Sequence, residues 1–365
     1  MEHDNKDVSI YRNRLPDIQK IAVVRANALG DFIFVLPALN ALHATYPDAE
    51  IVLLAKAWHA EFLKNRPSPI QRVVVIPAYN GVSANPGTVE EDAYELEHFF
   101  SQMQAEHFDL AFQMHGGGGY SNPFTLKLGA KMSVGLRAPD ALPLDRWLPY
   151  LLYQPEVIRY QEVVGLVGVP GNSYTEPSLV VTDSDISASL RVLPETQRQL
   201  IILHPGASDP RRRWPVEKFA AVGDALADTG DQIIITGNDA EKELTAQVAQ
   251  RMRMPALDLG GKLTLNGLAG LLSRSQLIIS NDTGPRHLAG ALGTATVGIY
   301  WCVNMIMAGP LSRTRHRPLI SWRTDCPTCG QSYLDKNCTH AASIVADITI
   351  KEVLQAAQDL LSAQE

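Results

Sequence analysis

The feature that most constrains this chain is an alternation that occurs twice: short apolar runs, each followed by a longer stretch with helical spacing of its apolar residues. In the first half the runs at 21–25, 51–55, 73–77, 110–114 and 132–135 are strand candidates, with helices expected at 32–46 and 90–106 between them. A strand, then a helix-length connection, then another strand demands a right-handed crossover and a parallel sheet covered on both faces. The pattern fades over 136–198, where Pro139, Pro143, Pro149, Pro155, Pro170, Pro177 and Pro194 accumulate. That stretch reads as an irregular connection with one helix around 157–167. The alternation then resumes, with strands at 200–203, 232–236, 277–280 and 296–300 and helices near 216–228, 240–251, 265–273 and 285–292. Near the end, Val353, Leu354, Ala357, Leu360 and Leu361 recur at helical spacing.

A chain of 365 residues exceeds the usual size of one hydrophobic core, so two domains are expected. The fold class is therefore α/β, two doubly wound parallel-sheet (Rossmann-like) domains facing a cleft. The expected division is 1–180, 181–345, and a terminal helix at 346–365. Open parallel sheets bind ligands beyond the carboxyl ends of their strands.

A net charge of −7 argues against a nucleic-acid partner, which calls for a basic excess. The first 20 residues are polar and lack the apolar stretch of a signal peptide, and no apolar run approaches the ~18 residues of a membrane span. A cytoplasmic location is expected. In that reducing compartment the four cysteines, Cys302, Cys326, Cys329 and Cys338, do not suggest a disulfide framework.

Four segments lie where a ligand should be met. In the first, a strand ends near Arg25, Gly30 allows a turn, and Asp31 stands at the start of a helix. Asp31 is either a helix-capping acid or a catalytic base, and spacing leaves both open. The second runs from His204-Pro205-Gly206 to Arg211, Arg212 and Arg213 before Trp214-Pro215. Three guanidiniums beside strand ends suit a diphosphate, although charge runs are commonly just solvated. In the third, a strand runs into Gly237, followed by Asp239, Glu241 and Glu243. Acids complement a helix N-terminus, and one of them at this position suits ribose hydroxyls. The fourth is Asn281-Asp282-Thr283-Gly284 between a buried strand and a helix, with His287 one turn in. Such a helix start holds phosphate through its N–H groups.

In this order and spacing the four segments resemble glycosyltransferase family 9, the heptosyltransferases of the lipopolysaccharide inner core. The resemblance runs from Lys20 to Leu361. It implies a GT-B architecture with the terminal helix packing back toward the first domain, and inverting transfer that requires no cofactor and no metal at the active site, from an ADP-sugar donor to a lipopolysaccharide-core or other glycan acceptor. It implies Asp31 as catalytic base, Arg212 on the donor diphosphate where the family usually has lysine, and Glu241 on the ribose. Asp282, Thr283, Gly284 and His287 would form the donor turn, Asp282 touching sugar hydroxyls. A lipid-linked acceptor would bring at most peripheral contact with the inner face of the cytoplasmic membrane. The chain departs from the family at Asn27-Ala28-Leu29, where serines are usual, at Trp301-Cys302-Val303-Asn304, and in the glycine-rich 115–120. Those departures touch the identity of sugar and acceptor more than the reaction. The alternatives are a transferase or epimerase using another nucleotide sugar, and a catalytically silent sugar-nucleotide-binding subunit.

Cys326-x-x-Cys329 followed by Cys338, with His340 beside it, has the spacing of a thiolate site for structural zinc or iron. Free thiols or a single disulfide are the competing reading.

Overall fold

The computed structural model describes residues 13–171, 175–335 and 338–363. Most of the polar N-terminal peptide discussed above lies outside them. The chain divides into two compact units, Met1–Pro177 and Ser178–Glu365.

The first unit runs β1 (Lys20–Val24), α1 (Leu29–Thr45), β2 (Glu50–Ala55), α2 (Ala57–Leu63), β3 (Arg72–Val75), α3 (Ala93–Ala105), β4 (Leu110–Gln113), α4 (Ser121–Leu126), β5 (Met132–Arg137), β6 (Arg146–Pro149) and α5 (Glu156–Gly165). Its six strands are parallel in the order β3-β2-β1-β4-β5-β6. Ile21–Val24 and Ile51–Ala55 are fully buried, which explains why these strands read as unbroken apolar runs. Order reverses between β1 and β4, so the loops leaving those two strands diverge and leave a crevice at their carboxyl ends.

The second unit runs α6 (Asp183–Val192), β7 (Leu200–His204), α7 (Val216–Ala227), β8 (Gln232–Ile235), α8 (Lys242–Arg251), β9 (Ala256–Asp258), α9 (Leu265–Ser273), β10 (Leu277–Asn281), α10 (Gly284–Ala291), β11 (Ala295–Trp301), α11 (Cys302–Ala308), β12 (His316–Ser321) and α12 (Ile350–Ser362). Its sheet repeats the topology, β12-β11-β10-β7-β8-β9, with the reversal between β7 and β10. α12 begins with a capping box, Thr349 and Glu352 each satisfying the other's backbone N–H. Its Val353, Ala356, Ala357 and Leu360 are buried in the second unit's core, beside Trp214, Phe219 and β10.

The proline-rich 136–198 is more regular than its sequence suggests. β6 extends the sheet edge and ends on Pro149, where a missing N–H costs no ladder bond. α6 opens with a second capping box, Thr182 with Asp185. No helix among the described residues is long and apolar enough to cross a membrane.

Candidate functional site

The reversal point of the second unit gathers Arg212, Asp282, Thr283, Gly284 and His287. Asn281, the last residue of β10, is fully buried and joins the two diverging loops. Its side-chain amide donates to the carbonyls of Pro205 (2.8 Å) and Gly206 (3.3 Å), and its oxygen accepts the Trp214 N–H (2.9 Å). Trp214 is anchored through its indole N–H to the Ile348 carbonyl at 2.9 Å. The loop after β7 is thereby pinned at both ends, which fixes the arginines between.

Those arginines do three different things. Arg211 is neutralised by Asp209 at 2.7 Å and lies over the Tyr333 ring. Arg213 turns back onto the Ala207 carbonyl. Only Arg212 reaches the strand ends, donating to Asp282 Oδ2 (3.3 Å) and Ser208 Oγ (2.8 Å). The crowding of three guanidiniums expected from sequence is thus relieved by protein groups for two of them.

Asp282 is buried, with both oxygens engaged. Oδ2 takes Arg212, and Oδ1 takes His287 Nε2 at 3.0 Å. Arg286 donates to His287 Nδ1, which leaves the imidazole proton on Nε2, facing the carboxylate. Burial alone would raise the Asp282 carboxyl, but His287, Arg286 and Arg212 outweigh it and hold it below the ordinary carboxylate range. Thr283 stands at the N-cap of α10 in extended backbone, yet its hydroxyl makes no capping bond. It is buried and unpartnered, beside a helix start whose first N–H groups have no intrahelical acceptor. An anion with oxygens to share would satisfy both.

Glu241 is also buried, at the end of a single 3-10 turn after β8. Its Oε2 accepts the Asn238 N–H at 2.9 Å. Its carboxylate lies against the backbone of Gly206, where a Cβ would fall 2.1 Å from Oε1. Gly206→Ala must therefore displace Glu241 and break that capping bond, at a cost of about 0.5–2 kcal/mol. Thermal melts should show the loss in the wild-type background and little of it in Glu241→Ala, where the clash is gone. Equal losses in both backgrounds would contradict the contact. Beneath Glu241, His204 bonds Thr236 at 3.1 Å, and burial pushes its imidazole down while Glu241 partly opposes the shift.

The reversal point of the first unit carries Asp31. It occupies the third position of α1, where Oδ2 accepts the Ala28 N–H at 3.1 Å. Oδ1 faces Arg25 Nη2 at 3.3 Å, and the side chain is 39% exposed. Asp31 is thus a capping acid whose carboxylate remains open to a ligand. Arg25 is buried at the end of β1, bonds the Met114 carbonyl and the Tyr160 hydroxyl, and lies 3.6 Å from Glu156. This network fastens α5 to the ends of β1 and β4. At the end of β4, His115 Nδ1 accepts the Ala26 N–H (3.2 Å), and burial with nearby Arg25 and Lys56 lowers its imidazole to about 3.

From sequence Arg25 marks only a strand end and Asn281 only the start of a turn, and Arg286 carries no signal, yet all three shape this geometry. Arg25 and Asn281 each stand at the end of a buried strand, a placement that signals a site-shaping role.

A family model for glycosyltransferase family 9 (heptosyltransferase) matches residues 97–329. The chain belongs to this family. The lipopolysaccharide core heptosyltransferase OpsX of Haemophilus influenzae is 22% identical, covering 80% of this chain and 82% of its own. The structure of a family 9 glycosyl transferase from Veillonella parvula superposes with a TM-score of 0.79 at 20% identity, over 96% of this chain and 99% of that one. That of Escherichia coli ADP-heptose lipopolysaccharide heptosyltransferase II gives 0.73 at 20%, over 95% and 99%. This family 9 chain is a glycosyltransferase of GT-B type, and its two six-stranded parallel sheets are the two Rossmann-like halves of that fold.

Proposed function

We propose that this chain transfers a heptose from ADP-heptose to a lipopolysaccharide-core or related glycan acceptor, inverting the anomeric carbon with no metal in the chemical step. The observation that carries this reading is the β7/β10 reversal point. There Arg212, the unpartnered Thr283 hydroxyl and the start of α10 offer complementary donors to a diphosphate. The relatives named above support the donor and the acceptor class.

In this reading the second unit binds the donor. Glu241 takes the ribose hydroxyls, and Arg212, Thr283, Gly284 and the N–H groups of α10 take the phosphates. Both oxygens of Asp282 are already engaged, so its role shifts from touching the sugar to holding Arg212 and His287 in position. As the bond from the anomeric carbon to the phosphate oxygen breaks, the electron pair leaves with ADP. Arg212 and the helix start stabilise the charge that builds there. The acceptor hydroxyl attacks from the opposite face and its proton passes to the carboxylate of Asp31, which becomes neutral and which Arg25 holds in place beforehand. Exposed Trp147, Leu151, Leu152 and Tyr153 offer an apolar surface for a lipid-linked acceptor, consistent with peripheral action at the inner membrane face.

Arg212→Ala tests the donor assignment. ADP affinity, measured by calorimetry, should fall about 10- to 100-fold, the worth of a hydrogen bond to a charged group. Unchanged affinity would remove Arg212 from the donor site.

A further inference from the structure

Between β12 and α12 the chain makes a cysteine-bearing loop that the proposed transfer does not use. Cys326, Cys329, Cys338 and His340 bring their ligand atoms within 4.8 Å of one another, and all three sulfurs are free thiols. Cys329 Sγ and Cys338 Sγ are 3.7 Å apart, and Cys338 Sγ lies 3.5 Å from His340 Nδ1. Around a tetrahedral zinc ion, with Zn–S near 2.3 Å and Zn–N near 2.05 Å, two sulfurs stand about 3.8 Å apart and a sulfur and a nitrogen about 3.6 Å. Two edges of the tetrahedron are therefore already at length, and the widest pair has at most about 1 Å to close.

The backbone is shaped for the same end. Gly330 adopts φ +71° and donates to the Cys326 carbonyl at 2.8 Å, while the Cys326 N–H returns to Gln331. This tight reversal presents Cys326 and Cys329 to one side. The Thr328 N–H points at Cys326 Sγ (3.4 Å), the kind of donor that stabilises a metal-bound thiolate.

The cysteine loop is tied to the loop after β7 on both sides of Arg212. Three residues after His340, Ser343 Oγ donates to the Arg213 carbonyl (2.7 Å), and the Ile344 N–H donates to the Arg211 carbonyl (2.8 Å). Tyr333, between the cysteine turns, carries the Arg211 guanidinium 5.7 Å above its ring. The peptides flanking Arg212 are thus held by the chain that the four ligand residues would fix.

We propose that Cys326, Cys329, Cys338 and His340 bind one tetrahedral zinc ion, and that this ion holds the loop that positions Arg212, so that donor-nucleotide affinity depends on it. The second half rests on the reading of Arg212 as a diphosphate ligand.

The full-length chain should be isolated with close to one zinc per molecule. On exchange it should give the intense visible bands of tetrahedral thiolate-bound cobalt(II), weakened in Cys329→Ala and His340→Ala. Removing the metal with a chelator should weaken ADP binding by on the order of tenfold, the usual size of coupling between two sites, with recovery on adding zinc. Circular dichroism would confirm that the stripped chain stays folded. No metal uptake, an octahedral cobalt spectrum, or iron in place of zinc would overturn the site as assigned. Equal ADP affinity with and without zinc, while Arg212→Ala still weakens binding, would overturn the coupling but leave the donor reading standing. An Arg212→Ala protein that binds zinc and also binds ADP normally would overturn the donor reading, and the coupling with it, while leaving the metal site.

Discussion

Asp31→Asn is expected to lower kcat by about 10²- to 10⁴-fold, the usual worth of a positioned general base, with ADP affinity essentially unchanged. Asparagine is the informative replacement because Asp31 has two jobs. Its Oδ2 accepts the Ala28 N–H at the start of α1, and its Oδ1 faces Arg25. Asparagine keeps an acceptor for the helix start but cannot take a proton. Alanine removes both functions and should also cost about 0.5–2 kcal/mol of stability. A melting temperature near wild type with lost turnover in Asp31→Asn would separate catalysis from capping. Full turnover in Asp31→Asn would reduce Asp31 to a structural residue and move the base elsewhere.

The second large effect is expected at Asp282. Its buried carboxylate holds Arg212 and His287, and His287 in turn meets Arg286, a guanidinium buried against the Tyr300 ring. Asp282→Ala leaves these groups without their counter-charge and should destabilise the second unit by about 3–5 kcal/mol, the usual cost of breaking a buried pair. It should also lose most ADP affinity, because Arg212 is no longer aimed. The sign of the pH dependence follows from the lowered carboxyl. Its stabilisation is fully present above the unfolded value near 4 and is lost as pH falls through the still lower folded value. The melting-temperature gap between wild type and Asp282→Asn should therefore stay constant from neutral pH down to about 5 and narrow only in stronger acid. A gap that varied between pH 6 and 8 would contradict a carboxyl held below its ordinary range.

Much of the fold was legible because buried parallel strands write themselves as unbroken apolar runs. The strand ends that carry Asp31, Arg212 and Asp282 could be located for that reason. What escaped depends on contacts distant in sequence. Arg25 gains its meaning from Tyr160, 135 positions away, and Asn281 from the carbonyls of Pro205 and Gly206, 75 or more positions away. No local pattern encodes such pairings. Elsewhere a local signal existed and was outweighed by prolines: the Thr182–Asp185 capping box marks the start of α6 inside a stretch that reads as irregular. The stretch Trp301-Cys302-Val303-Asn304, which departs from the family turn in sequence, leads into α11 from Cys302. The three arginines show a different limit. Their charge run is visible in sequence, but which one reaches the strand end beside Asp282 depends on Asp209 and the Ala207 carbonyl taking the other two.

The most direct test of the account is a transfer assay with the full-length chain, ADP-heptose and a core-truncated lipopolysaccharide. Mass spectrometry would follow the acceptor, and NMR would read the anomeric configuration of the product. One heptose should be added per ADP released, with inverted configuration, and Asp31→Asn should give no product. ADP binding without transfer, or transfer with retained configuration, would contradict it.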